Sequence, residues 1–339
     1  MQIQKNIWGI SENKVLIIFK CTAGGNDGWG NILRLKLIFQ KIKEKKKFNY
    51  LFVVNKNYQL IKFLKKNKII FKAFSSFNEE KKFFKNYFIN IKIFELLNCK
   101  YSIQNFYKSR SKKLIILDDI TKKKYISDIL IVCQKKIESK ISKGKNTKLY
   151  NSYEYFPLET KFNSFIKRKK KINKKIKKIS VFLGGGFYFN EYLKIAKLLS
   201  DKNYDVDFII GYEIKKNFLI KILKLNRKFK TYISPTNLPG LLFKSDLIIS
   251  GGGYTKIESA YLKIPLIPIP IHRHQIELCK DFRKEYGIDY ILKSNINRLL
   301  NKRIISYNYK KRKKVSKLFE KNFFENGINH IQKIILNEK

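Results

Sequence analysis

Three times in this chain an apolar run stops at a cluster of glycines and gives way to a segment with helical spacing: VLIIFKCTAGG from Val15, ISVFLGGG from Ile179 and LIISGGG from Leu247. An uninterrupted apolar run, without the polar alternation of a half-exposed strand, is the mark of a strand covered on both faces. That is the condition of a parallel sheet lying between helices. Glycine at the carboxyl end of such a strand allows a sharp turn and a close backbone approach. The recurrence predicts an α/β chain built from doubly wound, Rossmann-like sheets.

The segments between the glycine loops keep the alternation. Strands are expected at Lys14–Phe19, Tyr50–Val54, Lys68–Phe71, Leu114–Asp119 and Asp128–Val132, with helices after the first glycine loop, at Tyr58–Lys65 and over the aromatic stretch Phe77–Leu97. A second series of strands follows at Asp205–Ile210, Phe229–Ile233, Asp246–Ile249 and Asp289–Leu292. A length of 339 residues suits two domains of ordinary size. The expected division is 1–160 for the first, 161–177 as a basic linker and 178–339 for the second. The linker reading rests on KFNSFIKRKKKINKKIKK, a like-charged block with few large apolar side chains. Tyr309–Leu336 is helical by spacing, with Phe323, Phe324 and Ile328 as its buried face, and is expected to pack back across the domain junction.

The third glycine loop carries the most chemistry. Within Ser245–Gln275 a strand, a glycine turn, a helix and a Pro-rich strand follow one another. Gly252 and Gly253 leave room for a bulky group against the main chain, and a helix beginning there presents N–H groups suited to a phosphate. Thr255 adds a hydroxyl. Glu258, one turn further on, is a carboxylate able to accept bonds from sugar or ribose hydroxyls. Gln275 follows the next strand at its carboxyl end, where open parallel sheets bind ligands. The competing reading is a bare tight turn and a solvated Glu258. The combination of Gly-Gly-x-Thr-x-x-Glu with His-x-His-Gln in one βαβ unit favours binding.

The net charge of +48 directs attention to nucleic acid or an anionic membrane surface. Yet the lysines are spread over every segment, and the abundance of Lys, Ile, Asn, Phe and Tyr is that of an AT-rich coding bias. Solvated lysine faces are therefore expected, with no specific nucleic-acid partner and at most weak electrostatic contact with an anionic membrane surface. Cys21, Cys99, Cys133 and Cys279 lack CxxC spacing and read as reduced thiols. No apolar run reaches the length of a membrane span, so a cytoplasmic location is expected.

These motifs resemble the donor-binding half of GT-B nucleotide-sugar enzymes such as the lipid II forming N-acetylglucosaminyltransferases. They resemble more closely the UDP-2,4-diacetamido-2,4,6-trideoxy-β-L-altropyranose hydrolase family of pseudaminic acid biosynthesis. The likeness runs along nearly the whole chain. GWGNILR, from Gly28 to Arg34, falls where that family has Gly-x-Gly-His-x-x-Arg; LIILDD falls at its apolar strand ending in Asp; YEYFPLETKF falls at its bridge between domains; ISVFLGGG and NGINHI also fit. The resemblance implies two Rossmann-like domains facing across a cleft, a UDP-sugar substrate, no cofactor and no metal, and cleavage of the anomeric C–O bond with release of UDP. It implies substrate contacts from Gly28, Gly30, Arg34 and Gly185, as well as from Gly252, Gly253, Thr255, Glu258 and Gln275.

Two positions depart from the family pattern. The family His that acts in activating water is Asn31 here, and an amide takes no proton near neutral pH. Phe187 and Tyr188 stand where the family has Asp-Pro. Asp27 and Asp118 are then the candidate bases beside Asn31, each with a turn or helix-cap role as its alternative. The leading expectation is a hydrolase of this kind. A GT-B glycosyltransferase of surface polysaccharide synthesis and a non-catalytic nucleotide-sugar or membrane-surface binding protein are the alternatives.

Overall fold

The apolar runs take their places in two parallel sheets. A computed structural model describes residues 15–24, 29–45, 48–96, 99–117, 124–135, 141–186, 188–211, 216–323 and 325–336. The chain divides into two compact units, one of Met1–Leu158 with Gly327–Lys339 and the other of Glu159–Asn326.

The first unit runs β1 (Leu16–Cys21), α1 (Gly30–Lys45), β2 (Asn49–Asn55), α2 (Tyr58–Lys66), β3 (Phe71–Phe74), α3 (Phe77–Phe84), β4 (Ile89–Glu95), α4 (Tyr101–Lys108), β5 (Ser111–Leu117), β6 (Ile129–Val132) and β7 (Lys148–Asn151). The sheet order is β3-β2-β1-β4-β5-β6-β7, and the pairings are parallel. One face of the sheet buries Ile18, Leu51, Val53 and Phe94 against Phe84 of α3 and Tyr107 of α4. On Glu80 of α3, itself buried, converge the ammonium of Lys20 and the hydroxyl of Tyr107. Beside them Lys92 is wholly buried over the rings of Phe84 and Phe94, and burial holds its amine well below the usual lysine range.

The second unit runs α5 (Asn163–Ile166), β8 (Lys178–Phe182), α6 (Phe189–Leu199), β9 (Asp205–Ile210), α7 (Lys216–Leu223), β10 (Phe229–Ile233), α8 (Leu238–Phe243), β11 (Leu247–Gly251), α9 (Thr255–Tyr261), β12 (Leu266–Ile269), α10 (Arg273–Tyr286), α11 (Ile296–Ser306) and α12 (Tyr309–Asn322). Its sheet order is β10-β9-β8-β11-β12, again parallel. The segment 161–177 is part of this unit, with Phe162 and Ile166 buried. A last helix, α13 (Ile328–Leu336), belongs to the first unit, where Ile328, Ile331 and Ile335 are buried and Gln332 Nε2 donates to Lys41 O of α1 at 2.7 Å.

Four sequence expectations need correction. The stretch Phe77–Leu97 is not one helix: α3 ends at Phe84, and INIKIFE becomes β4, the strand beside β1, because its alternate isoleucines suit a sheet interior. The strand expected at Lys68–Phe71 begins at Phe71 instead. Asp289–Leu292 forms no strand, although Ile291 N donates to Pro268 O at 2.9 Å alongside β12. Tyr309–Leu336 is broken into α12 and α13 by the turn at Gly327, whose N–H donates to Phe156 O. Phe323 and Ile328 are buried, and Phe324 lies outside the described residues.

Candidate functional site

In each sheet the strand order reverses beside the first strand, between β1 and β4 in the first unit and between β8 and β11 in the second. Helices leave in opposite directions at such a point, and a crevice opens at the carboxyl ends of the strands. In the second unit the loops that meet there are the two glycine clusters, after β8 and after β11. Backbone fits backbone closely at this seam. A Cβ on Gly252 would lie 2.7 Å from Pro270 Cα and 2.9 Å from Cys279 Sγ, so no larger residue fits.

The side chains around this turn are held from below. Lys256, with no exposed surface, extends its Nζ to Gly252 O at 3.0 Å and Gly253 O at 3.1 Å, and lies over the Phe282 ring. The Lys256 side chain therefore braces the glycine turn from behind, with its amine held on two main-chain carbonyls. Cys279, next to it, is pushed up by burial to about 11 and stays a thiol at neutral pH. Thr255 is 5% exposed at the start of α9. Every residue of α9 is buried except Glu258, which alone carries the helix to solvent.

Gln275 closes the far side. Its Oε1 accepts from Ile271 N at 2.9 Å and folds the start of α10, while its Nε2 stands 3.2 Å from where a Cβ on Gly253 would be. The amide thus serves the fold with its oxygen and faces the glycine turn with its nitrogen. From the other loop, Tyr188 OH and His272 Nε2 are hydrogen-bonded at 3.0 Å, tying the β8 loop to the β12 loop. His274 stacks on His272, with ring centroids 5.4 Å apart. Burial first, and then His272, hold His274 down to about 4, and burial with Lys293 lowers His272. Gly185 is packed against Gly211 at the end of β9.

The structure therefore brings Gly185, Gly252, Gly253, Thr255 and Gln275 to one end of one sheet, with Glu258 a turn away. Lys256 and the Tyr188–His272 pair are additions that sequence reasoning missed. Lys256 stood at a variable position of the motif, and the pair spans 84 residues of chain.

The first unit treats its candidates differently. Asn31 and Arg34 are each 7% exposed, near Gly30 at the start of α1. Arg34 Nη2 donates to Asn31 Oδ1 at 3.2 Å, Asn31 Nδ2 donates to Thr22 O at 3.4 Å, and Arg34 forms an ion pair with the buried Glu95 at the end of β4. These contacts cross the reversal between β1 and β4 and tie its two strand ends together. Asp27, Gly28, Asp118 and Phe187 lie outside the described residues. Among the described residues no cluster of three or more His, Cys, Asp or Glu is placed to hold a metal ion, and no helix is long and apolar enough to cross a membrane.

Two parallel Rossmann-like sheets, of seven and five strands, match the GT-B glycosyltransferase fold. Among solved structures the chain is similar to MurG of Acinetobacter baumannii, with a TM-score of 0.65 and 11% identity over 95% of this chain and 99% of that one. It is similar to a glycosyltransferase of Rickettsia africae, with a TM-score of 0.59 and 14% identity over 96% and 100% of the two chains. It is also similar to Anabaena HepE, solved with UDP and glucose, with a TM-score of 0.51 and 11% identity over 95% and 98%. No family model matches. In sequence, 288 residues are 26% identical to an uncharacterized protein of Methanocaldococcus jannaschii, covering 80% of this chain and 58% of that protein. The chain thus spans less than two thirds of the length of that relative.

Proposed function

We propose that this chain is a nucleotide-sugar-dependent enzyme, and that it transfers a sugar from a UDP-type donor to an acceptor hydroxyl. The observation that carries the donor site is the buried Lys256 amine, held on the carbonyls of Gly252 and Gly253 behind a glycine turn at the sheet's reversal point. As the anomeric C–O bond breaks, negative charge grows on the departing diphosphate. Preorganised main-chain N–H groups stabilise that charge without reorganising. In this reading Gly252, Gly253 and Thr255 receive the diphosphate, Glu258 accepts from ribose hydroxyls, and Gln275 Nε2 donates to phosphate or sugar oxygens. Gly185 and Tyr188 border the sugar.

Transfer is preferred to hydrolysis for two reasons. Several solved structures that share the fold are described as glycosyltransferases. In addition, Asn31, where the hydrolase family has its water-activating His, is an amide occupied with Arg34 and Thr22. The second reading, a nucleotide-sugar hydrolase, keeps the support of the motifs shared along the chain, and one experiment separates the two. The protein is incubated with a panel of nucleotide sugars, with and without hydroxyl acceptors, and the products are read by mass. Transfer predicts acceptor-dependent release of UDP and a glycoside. Free sugar formed at the same rate without acceptor would establish the hydrolase, and Asp27→Asn and Asp118→Asn would then be examined for loss of the base. Binding is tested separately by calorimetry: UDP binds, and Glu258→Ala weakens it by about 1.5 to 3 kcal/mol as a charged hydrogen bond is lost. Failure of the folded protein to bind any nucleoside diphosphate would end both readings.

A further inference from the structure

The basic segment read as a linker is fastened at both ends of a short stretch by two buried side chains, Asp246 and Arg312. Asp246, 3% exposed, accepts from the N–H groups of Lys177 and Lys178 and from Asn173 Nδ2. Arg312 of α12, 1% exposed, donates from Nη2 to Asn173 O at 2.9 Å and Lys174 O at 3.0 Å, and from Nε to Tyr307 O. Arg312 thereby joins two acid-free segments, one between Glu159 and Glu191 and the other between Asp289 and Glu320. Lys174, Lys175, Lys310, Lys313 and Lys314, all exposed, surround the junction.

This arrangement works against the protein's own stability. Like charges gathered on a pinned backbone repel one another, and the first turns of α12 carry Lys310, Lys311, Arg312, Lys313 and Lys314 at the positive end of the helix dipole, with no acid in the first turn. An external anionic surface removes both costs. Apolar groups stand beside the cations: Tyr309 is 38% exposed with the Lys313 ammonium over its ring, and Ile305, 76% exposed, shares a stripe of α11 with Arg298 and Lys302. Cations combined with an exposed aliphatic and an exposed aromatic side chain suit a lipid headgroup layer, in which charge attracts and apolar tips insert.

We infer that this face of the second unit, formed where Arg312 joins the strip 173–178 to the start of α12, is a docking surface for an anionic phospholipid membrane. The inference is independent of the sugar chemistry. The full chain is sedimented with vesicles of phosphatidylcholine alone and of phosphatidylcholine with about one third phosphatidylglycerol, at low and physiological salt. Binding is expected to the anionic vesicles only. Removing three well-placed cations, as Lys310→Gln, Lys313→Gln and Lys314→Gln together, should lower the partition coefficient about a hundredfold, at roughly fivefold per lysine. The control carries Lys62→Gln, Lys65→Gln and Lys66→Gln on α2, in another acid-free stretch, and should change partition by no more than a few fold. Ile305→Ser with Tyr309→Ala should leave low-salt binding and abolish what remains at physiological salt. Equal losses in the two lysine variants would show diffuse charge and overturn the inference, as would equal binding to neutral vesicles. Capture of RNA through the same three lysines, with no vesicle binding, would also overturn it. Unchanged circular dichroism in each variant establishes that the fold is intact.

Discussion

His272 and His274 are held in their neutral forms by the packing around the glycine turn, and this has a measurable cost in acid. The ordinary histidine value is 6.5, and His274 is held down to about 4. Between those pH values the unfolded chain takes up protons that the folded chain refuses, so stability rises with pH across the window and is lost as pH falls through it. Urea denaturation at a series of pH values should show this slope, and His274→Asn should flatten part of it. Parallel curves for the two proteins would assign the slope to other groups. At this scale the sequence was legible where residues act as neighbours in the chain. Gly252, Gly253, Thr255 and Gln275 meet as their spacing implied. Arg34 was not legible, because its partner Glu95 sits in a stretch whose periodicity reads as helix. The Tyr188–His272 bond escaped for another reason: nothing in a local pattern records a contact between two loops of one sheet.

The elements themselves were legible where glycine or proline follows a buried strand, as after β8, β11 and β12, but the glycine break between α12 and α13 was read through as one helix. They were misread at the α3–β4 turn, where neither residue interrupts the aromatic pattern. Gly327 shows how strongly one such marker can act. It separates α12 from α13 and lies so close to the preceding chain that a Cβ would be 2.4 Å from Glu154 O and 2.5 Å from Phe156 N. Both obstacles are main-chain atoms and cannot swing aside. Gly327→Ala is therefore expected to destabilise the first unit by about 1 to 3 kcal/mol, the usual cost of overpacking, with little effect on the second. A lowered urea midpoint monitored at probes in α1, with nucleotide affinity unchanged, is the expected result. An unshifted midpoint would mean that the turn relaxes and that α13 does not depend on it.

On the scale of the whole molecule, the chain makes its second unit from one continuous stretch, Glu159–Asn326, and its first from two separated ones. Ending the chain at Asn326 removes α13 and with it Ile328, Ile331 and Ile335, each worth roughly 1.5 to 3 kcal/mol of burial. That sum is comparable with the whole stability of an ordinary domain. Trypsin should then degrade residues 15–158 while a fragment beginning near Glu159 survives and still binds UDP. Equal protection of both units would show that the first sheet folds without its last helix. The same interrupted layout has a consequence for synthesis on the ribosome. The sheet of the first unit emerges early, yet the surface of α1 that α13 covers stays bare until the second unit has been translated, which takes roughly ten to thirty seconds at ordinary elongation rates. For that interval an apolar helix face is offered to any chaperone that scans nascent chains, and the yield of native protein should depend on how quickly the final residues arrive.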